Sequence, residues 1–244
     1  MSAEAPGSAR GELRDSARDE LRDATEAAHL RLHAIPAFQA LAEGRITLAG
    51  YAALLRRKLG FHAALEARLE EAPSLTAFGI ETAARRRTPL LLADLAFLAA
   101  PEEAPSAPLL APLPPFGSAA EALGGLYVAE GSTLGGRHLA RALDAILPPG
   151  PEGRRFLLGH GARHGEMWRA CCAAIERCGT APEGRAGMIR GATATFAAFE
   201  EWFTFPASPA VAGARGAAAT PEAGRGGGSL STARYAAASS AVPP

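Results

Sequence analysis

The stretch Gly124-Gly125-Leu126-Tyr127-Val128-Ala129-Glu130-Gly131-Ser132-Thr133-Leu134-Gly135-Gly136-Arg137-His138-Leu139 carries five glycines inside an otherwise helix-like pattern. Each glycine in a helix interior costs about 1 kcal/mol relative to alanine, so the run needs a reason. Two are open. Glycine lets two helices pack with their backbones close together, and it lets a backbone approach a flat ligand, because no Cβ stands in the way. On a helix, Gly131 and Gly135 would share a face, being four residues apart. A kink there would free backbone groups to hold water or a bound diatomic molecule. A phosphate loop fits worse, because the Gly-x4-Gly-Lys-Ser/Thr order is missing and no strand precedes the run.

The rest of the chain agrees with a helical context. Of its 244 residues, 48% are hydrophobic but only 6% aromatic. The apolar fraction is dominated by Ala and Leu, which favour helices over strands, so an all-α fold is expected. The 25 basic residues balance the 25 acidic ones, which argues against a general nucleic-acid binder. Cys171, Cys172 and Cys178 are an odd, clustered set without zinc spacing, and read as small buried hydrophobes in a reducing compartment. Met1 to Arg10 lacks the apolar core of a signal peptide. The longest apolar stretch, Pro89 to Ala100, contains Asp94 and is too short to span a bilayer. A cytoplasmic location is the expectation.

Breakers divide the chain. Residues 1–11 read as a disordered lead, and 206–244, rich in Ala, Gly, Ser and Pro, as a disordered tail that buries too little to offset its ordering entropy. Between them, 12–205 reads as one helical domain. A first helix runs from about Glu12 to His33, ahead of Pro36. A second, capped by Thr47, runs to about Glu71. A third covers about Pro89 to Ala99, followed by a Pro-rich loop from Pro101 to Pro115. Ser118 with Glu121 fits a capping box for a helix continuing to about Leu147. The last two run from about Pro151 to Cys178 and from about Pro182 to Phe203, with Pro in the first turn of each.

On the first helix, Leu21, Thr25, Ala28 and Leu32 share one face. Arg22, His29 and His33 line its flank, with Arg22 about 10 Å from His29 along the axis. That spacing suits a ligand with a metal at one point and carboxylates at another. A solvated surface histidine is the plainer reading of the spacing alone.

Together the two segments resemble the haem oxygenase family. Leu21-Arg22-Asp23-Ala24-Thr25-Glu26-Ala27-Ala28-His29 is similar to its proximal-helix motif. Leu126 to Arg137 is similar to its distal-helix motif, especially in bacterial members that supply biliverdin to phytochromes. Phe196-Ala197-Ala198-Phe199-Glu200-Glu201-Trp202 resembles its last core helix. The order and separation of the three pieces match, and the resemblance covers roughly residues 12–205.

The resemblance implies haem b lying between the first helix and a kinked, glycine-rich helix, with haem as both substrate and cofactor. It implies His29 as the proximal iron ligand, with its second nitrogen held by an acceptor. The backbone at Gly131, Gly135 and Gly136, with Ser132, would cover the face where O2 is activated. Biliverdin, CO and free iron would be the products. Arg22 matches the family's cationic propionate contact, and Arg190 is a candidate for the second. Electrons would come from an external donor of ferredoxin or flavodoxin type, since no flavin or nicotinamide fingerprint is present. A phytochrome is a candidate acceptor of the biliverdin, and a monomer is expected.

Two positions depart from the family pattern. His33 stands where members commonly carry a carboxylate that can hold the proximal ring. Ser132 stands where animal members have an Asp, so the backbone and water are left to carry the oxygen-activating network. His160 and His164, four apart with Glu166 nearby, fit a helix edge better than a metal site. His62 and His138 read as surface or satisfied histidines, and Trp168 and Trp202 as packing residues. Arg85-Arg86-Arg87 reads as a solvated face, with docking of an acidic electron donor as the functional option. A haem carrier or sensor without turnover is the alternative function. Thiamin-related hydrolases and metal-dependent oxidases that share the architecture need a cysteine or carboxylate set that is not evident here.

Overall fold

The computed structural model describes residues 16–99 and 109–204, so the expected lead, the tail and most of the Pro-rich loop lie outside the described residues. The helices are α1 (Ala17–His33), α2 (Pro36–Ala42), α3 (Leu48–Glu71), α4 (Thr88–Leu98), α5 (Ala119–Gly131), α6 (Gly136–Arg141), α7 (Arg155–Leu158), α8 (His164–Cys178) and α9 (Pro182–Thr204). No strand occurs among the described residues, and none of their helices is long and apolar enough to cross a membrane.

Local chemistry sets most ends. Ser16 Oγ accepts from Asp19 N, Thr47 Oγ1 from Gly50 N, and Ser118 Oγ from Glu121 N, each completing an N-cap. The Glu121 carboxylate reaches back to Gly117 N at 2.8 Å rather than to the cap residue itself. Carboxylates from neighbouring helices reinforce the start of α1 and cap two further starts. Glu176 on α8 accepts from Ala17 N and Arg18 N, both at 3.1 Å. Glu66 on α3 accepts from Arg87 N at 2.7 Å and Thr88 N at 2.9 Å. Asp94 on α4, the lone charge in its apolar run, accepts from Arg155 N and Phe156 N at 2.8 Å and so starts α7.

Two expected helices are broken, and one short helix is added. Helix α1 ends at His33, ahead of Pro36, as expected, but Pro36 then opens α2, in whose first turn its missing N–H costs nothing. The helix expected to run from Ser118 to Leu147 stops at Gly131 and resumes at Gly136. The helix expected from Pro151 to Cys178 is cut by Gly153, Gly159 and Gly161, whose φ angles of 75°, 63° and 61° are left-handed.

The core lies between α3, α5, α8 and α9, where Tyr51, Leu55, Leu65, Leu123, Ile175 and Met188 are fully buried. Helix α5 lies directly against α9, backbone to backbone. A Cβ on Gly124 would sit 2.1 Å from the carbonyl oxygen of Met188, and one on Gly191 would sit 2.0 Å from that of Glu121. Helix α1 packs on α9 and α8, tied by Arg31 to Glu200 at 2.8 Å and by Arg185 to Glu20. The free edge of α1 thereby faces the break after α5.

Candidate active site: the cavity between the first helix and the glycine-rich break

A cavity of about 310 Å³ opens between α1 and the segment from Tyr127 to Leu139, and α3 and α9 close it behind. That is within the size range of small-molecule sites. Its wall is largely apolar, with Leu32, Leu41, Val128, Leu134, Phe196 and Phe199.

His29 on α1 faces this space. It is half-buried and sits edge-to-face with His33 at 4.7 Å and with Phe196 at 6.3 Å between ring centres. Burial lowers its pKa below the ordinary histidine value, with Glu26 opposing. The ring is therefore held neutral, the form that binds a metal. Glu26, one turn before His29, is the carboxylate whose charge acts on it, and it lines the same cavity. His33 has its pKa lowered by burial and then by His29.

At the mouth, Arg22 is exposed and paired with Asp19 at 3.3 Å and Asp23 at 3.1 Å. Its guanidinium pKa is raised chiefly by the hydrogen bond to Asp23. Arg18 joins it among the lining residues.

The opposite wall is the break between α5 and α6. Here Thr133 N donates to Glu130 O at 3.1 Å, Leu134 N to Gly131 O at 3.2 Å, and Gly136 N to Thr133 O at 3.0 Å. These closures are one residue shorter than those of an α-helix. The Ser132 hydroxyl donates to Ala129 O at 2.7 Å. Thr133 Oγ1 donates to Glu130 O at 2.6 Å and lies 3.2 Å from the His164 ring. Tyr127 is hydrogen-bonded to Thr25 across the cavity's side.

The glycines divide between the two readings left open by the sequence. Gly124 is a packing glycine, and so are Gly125, where a Cβ would meet the Phe116 ring at 2.3 Å, and Gly136, where it would meet Leu157 O at 2.1 Å. Gly131 is different. A Cβ there would meet nothing nearer than the Trp168 ring at 3.9 Å, so the protein's own packing does not require it, and it lines the cavity.

Of the residues singled out by sequence, Arg22, His29, Gly131, Ser132 and Gly136 line this one cavity. Gly135 does not; it starts α6 from the turn, with ordinary angles of φ −83° and ψ −6°. Arg190 does not either. Its guanidinium binds the Glu121 carboxylate at 3.1 Å on the outer side of the α5–α9 pair.

The closed end holds residues that sequence reasoning missed. Lys58, His62, Arg87 and Phe156 line it. A signal for two of them was present. Tyr51, Leu55, Lys58, His62, Leu65 and Leu69 follow a 4-3-4-3-4 spacing, one continuous core stripe of α3. His62 is accordingly buried, not a surface residue. The basic run is likewise not a solvated face. Arg85 is buried against Glu130 at 3.1 Å, Arg87 is buried with its guanidinium 4.1 Å above the Phe156 ring, and only Arg86 is half-exposed, paired with Glu70.

Haem fits this arrangement. No group of three or more His, Cys, Asp or Glu side chains that could hold a metal occurs among the described residues. A bare ion needs such a set. An iron already held by four ring nitrogens needs a single imidazole from the protein, and one imidazole, that of His29, stands beside an apolar slot whose opposite wall is opened at Gly131. One neutral imidazole, an apolar slot and a glycine-opened wall, all on helices, define the class of helical haem proteins.

Comparison with known proteins agrees. The family model described as "Heme oxygenase" matches residues 15–204. A curated heme oxygenase from Xanthomonas campestris pv. campestris (strain 8004) is 36% identical over 181 residues, spanning 70% of this chain and 99% of that protein. The crystal structure of the NO- and CO-bound heme oxygenase from Neisseria meningitidis superposes with a TM-score of 0.61 at 26% identity, covering 80% of this chain and 95% of that one. The chain belongs to the heme oxygenase family, with the oxygenase activity that defines it.

Proposed function

We propose that this chain opens haem to biliverdin, CO and iron, that residues 12–205 form the working domain, and that His29 would hold the iron. The observation that carries the reading is the cavity itself, in which a neutral imidazole on α1 faces the glycine-opened wall of α5. When bound, haem supplies both the iron at which O2 is activated and the ring that is cleaved. The chain's residues do the rest. Glu26 supplies negative charge beside His29 that His33, in the place of the family's carboxylate, does not. Arg22, with Arg18, would hold the propionates at the mouth in place of its bonds to Asp19 and Asp23; Arg is suited to a carboxylate through paired hydrogen bonds. Gly131, with no Cβ, would leave room for the ring, and the Ser132 and Thr133 hydroxyls are committed to the Ala129 and Glu130 carbonyls, which fixes the wall. The apolar lining excludes bulk water. We assign electron supply to an external donor of ferredoxin or flavodoxin type. A cytoplasmic monomer, with a phytochrome as biliverdin acceptor, fits the chain.

The test is haemin titration followed by reduction under air. A Soret band should form and decay into the broad red band of biliverdin, and His29→Ala should fail to convert haem. A band that forms and persists in the wild type would mean a haem carrier, and no band at all would leave only the fold.

A further inference from the structure

The closed end of the cavity contains a charge for which the family reaction as described above has no use. Lys58 is enclosed by rings, its Nζ 4.7 Å from the centre of Phe38, 5.1 Å from Phe199, 5.5 Å from Phe156 and 5.6 Å from Phe203. It makes no ion pair with a carboxylate among the described residues, yet it lines the cavity. Behind it lies a second space of about 20 Å³, enough for one water molecule. His62, Arg87 and Ala129 border both spaces, and the rear one extends to Glu66, Glu70 and Arg86. Glu70 and Arg86 are half-exposed, so this space lies toward solvent on a side distinct from the mouth at Arg22.

We propose that Lys58 is a proton-donating residue of the cavity, recharged from solvent through the water-sized space behind it; the proposal rests on the haem oxygenase reading. The Nζ ammonium gives one proton to the oxygen that the oxygenase reaction reduces with electrons from its external donor, and becomes a neutral amine. It recovers a proton by way of His62, one turn further along α3. A neutral imidazole can accept at one nitrogen and release from the other. His62 is kept neutral by burial and by the charges of Arg87 and Lys58. Burial, and then Arg87, bring the Lys58 ammonium down to about 7, where an acid is most effective in neutral solution. The groups facing it leave this poise intact. Helices α2, α7 and α9 present Phe38, Phe156, Phe199 and Phe203. The start of α4 presents Arg87, and α3 presents His62. Glu66 and Glu130 act on Arg87, and Glu26, His29 and His33 line the α1 side.

The experiment compares wild type, Lys58→Met and Lys58→Arg in the full chain. Each is titrated with haemin and then followed to biliverdin across a pH series. In parallel, the haem-free proteins are reductively methylated with 13C-formaldehyde, and Lys58, the chain's only lysine, is titrated by NMR. Expected are unchanged haem affinity for Lys58→Met, conversion slowed at least about tenfold, and a wild-type rate that falls about tenfold per pH unit above neutrality. Lys58→Arg should recover little of the rate, because a guanidinium stays protonated and has no proton to give; full recovery by Lys58→Arg would make Lys58 a fixed charge and overturn the proposal. The Lys58 signal, absent from both variants, should titrate near neutrality. Conversion by Lys58→Met at the wild-type rate and pH profile would overturn the proposal. So would loss of haem binding in that variant, which would make Lys58 an anchor, or titration at an ordinary lysine value. If wild type itself leaves haem intact, the oxygenase reading falls, and the NMR titration still judges Lys58 alone.

Discussion

A charge taken out of water is answered by an opposite charge, by hydrogen bonds or by a change in protonation. Arg85 and Glu130 answer each other at 3.1 Å with both side chains buried. Arg85→Met should therefore cost about 3–5 kcal/mol, because Glu130 is left buried and unpaired, and the double variant with Glu130→Leu should recover much of it. Denaturant unfolding of the three proteins checks this. Lys58 answers burial by losing its proton. Its pKa falls on folding from the ordinary 10.5 to about 7, so between these values the unfolded chain holds more protons. Stability should then rise with pH across that window, by up to about 1.4 kcal/mol per unit. Lys58→Met should be more stable than wild type at neutral pH and should lose this slope. A stabilised variant with slowed turnover would mark a group kept for chemistry at the expense of the fold.

At the scale of elements, the glycines separate packing from binding. Gly124→Ala forces α5 and α9 apart, since the new methyl meets the Met188 carbonyl, and should cost about 1–3 kcal/mol. Gly131→Ala has space within the protein and should leave stability within about 0.5 kcal/mol while weakening haem binding. Melting curves with and without haemin test both at once. None of this division could be read from the run itself, because the atoms that decide it come from Met188 and Leu157, far away in sequence. The same limit applies to Arg85 to Arg87. Three adjacent arginines look like surface, and only the carboxylates of Glu66 and Glu130 make burial tolerable. What depends on neighbours in sequence was legible: the caps at Thr47 and Ser118, the extents of α3, α4 and α9, and the flank carrying Arg22 and His29. Pro36 marked the end of α1 correctly, but the short helix α2 that it opens was not legible, because the same ring that follows one helix can begin another.

For the molecule as a whole, the buried histidines set the acid limit. His62 has its pKa pushed well below 6.5, chiefly by burial. The unfolded chain therefore binds the extra proton as pH falls through 6.5, and stability is lost from that point downward, by about 1.4 kcal/mol per unit for this residue while the folded ring stays neutral. His29, His33, His160 and His164 shift the same way, through burial first, and add smaller amounts, being part-exposed. Unfolding should begin at mildly acidic pH, above the carboxylate range, and His62→Gln should move its onset downward; a pH series of melting temperatures reads this directly. Bound haem should add a separate acid sensitivity, since His29 must remain deprotonated to hold iron.

The carboxylate at Glu176 that closes the start of α1 has a temporal meaning as well. The ribosome delivers α1 first and α8 much later. Until α8 emerges, the first N–H groups of α1 lack that partner, and α9, against which α1 packs, does not yet exist. His29 is thus made before the elements that seat it. A half-made chain cannot offer haem both walls of its slot, so loading is deferred to the finished molecule.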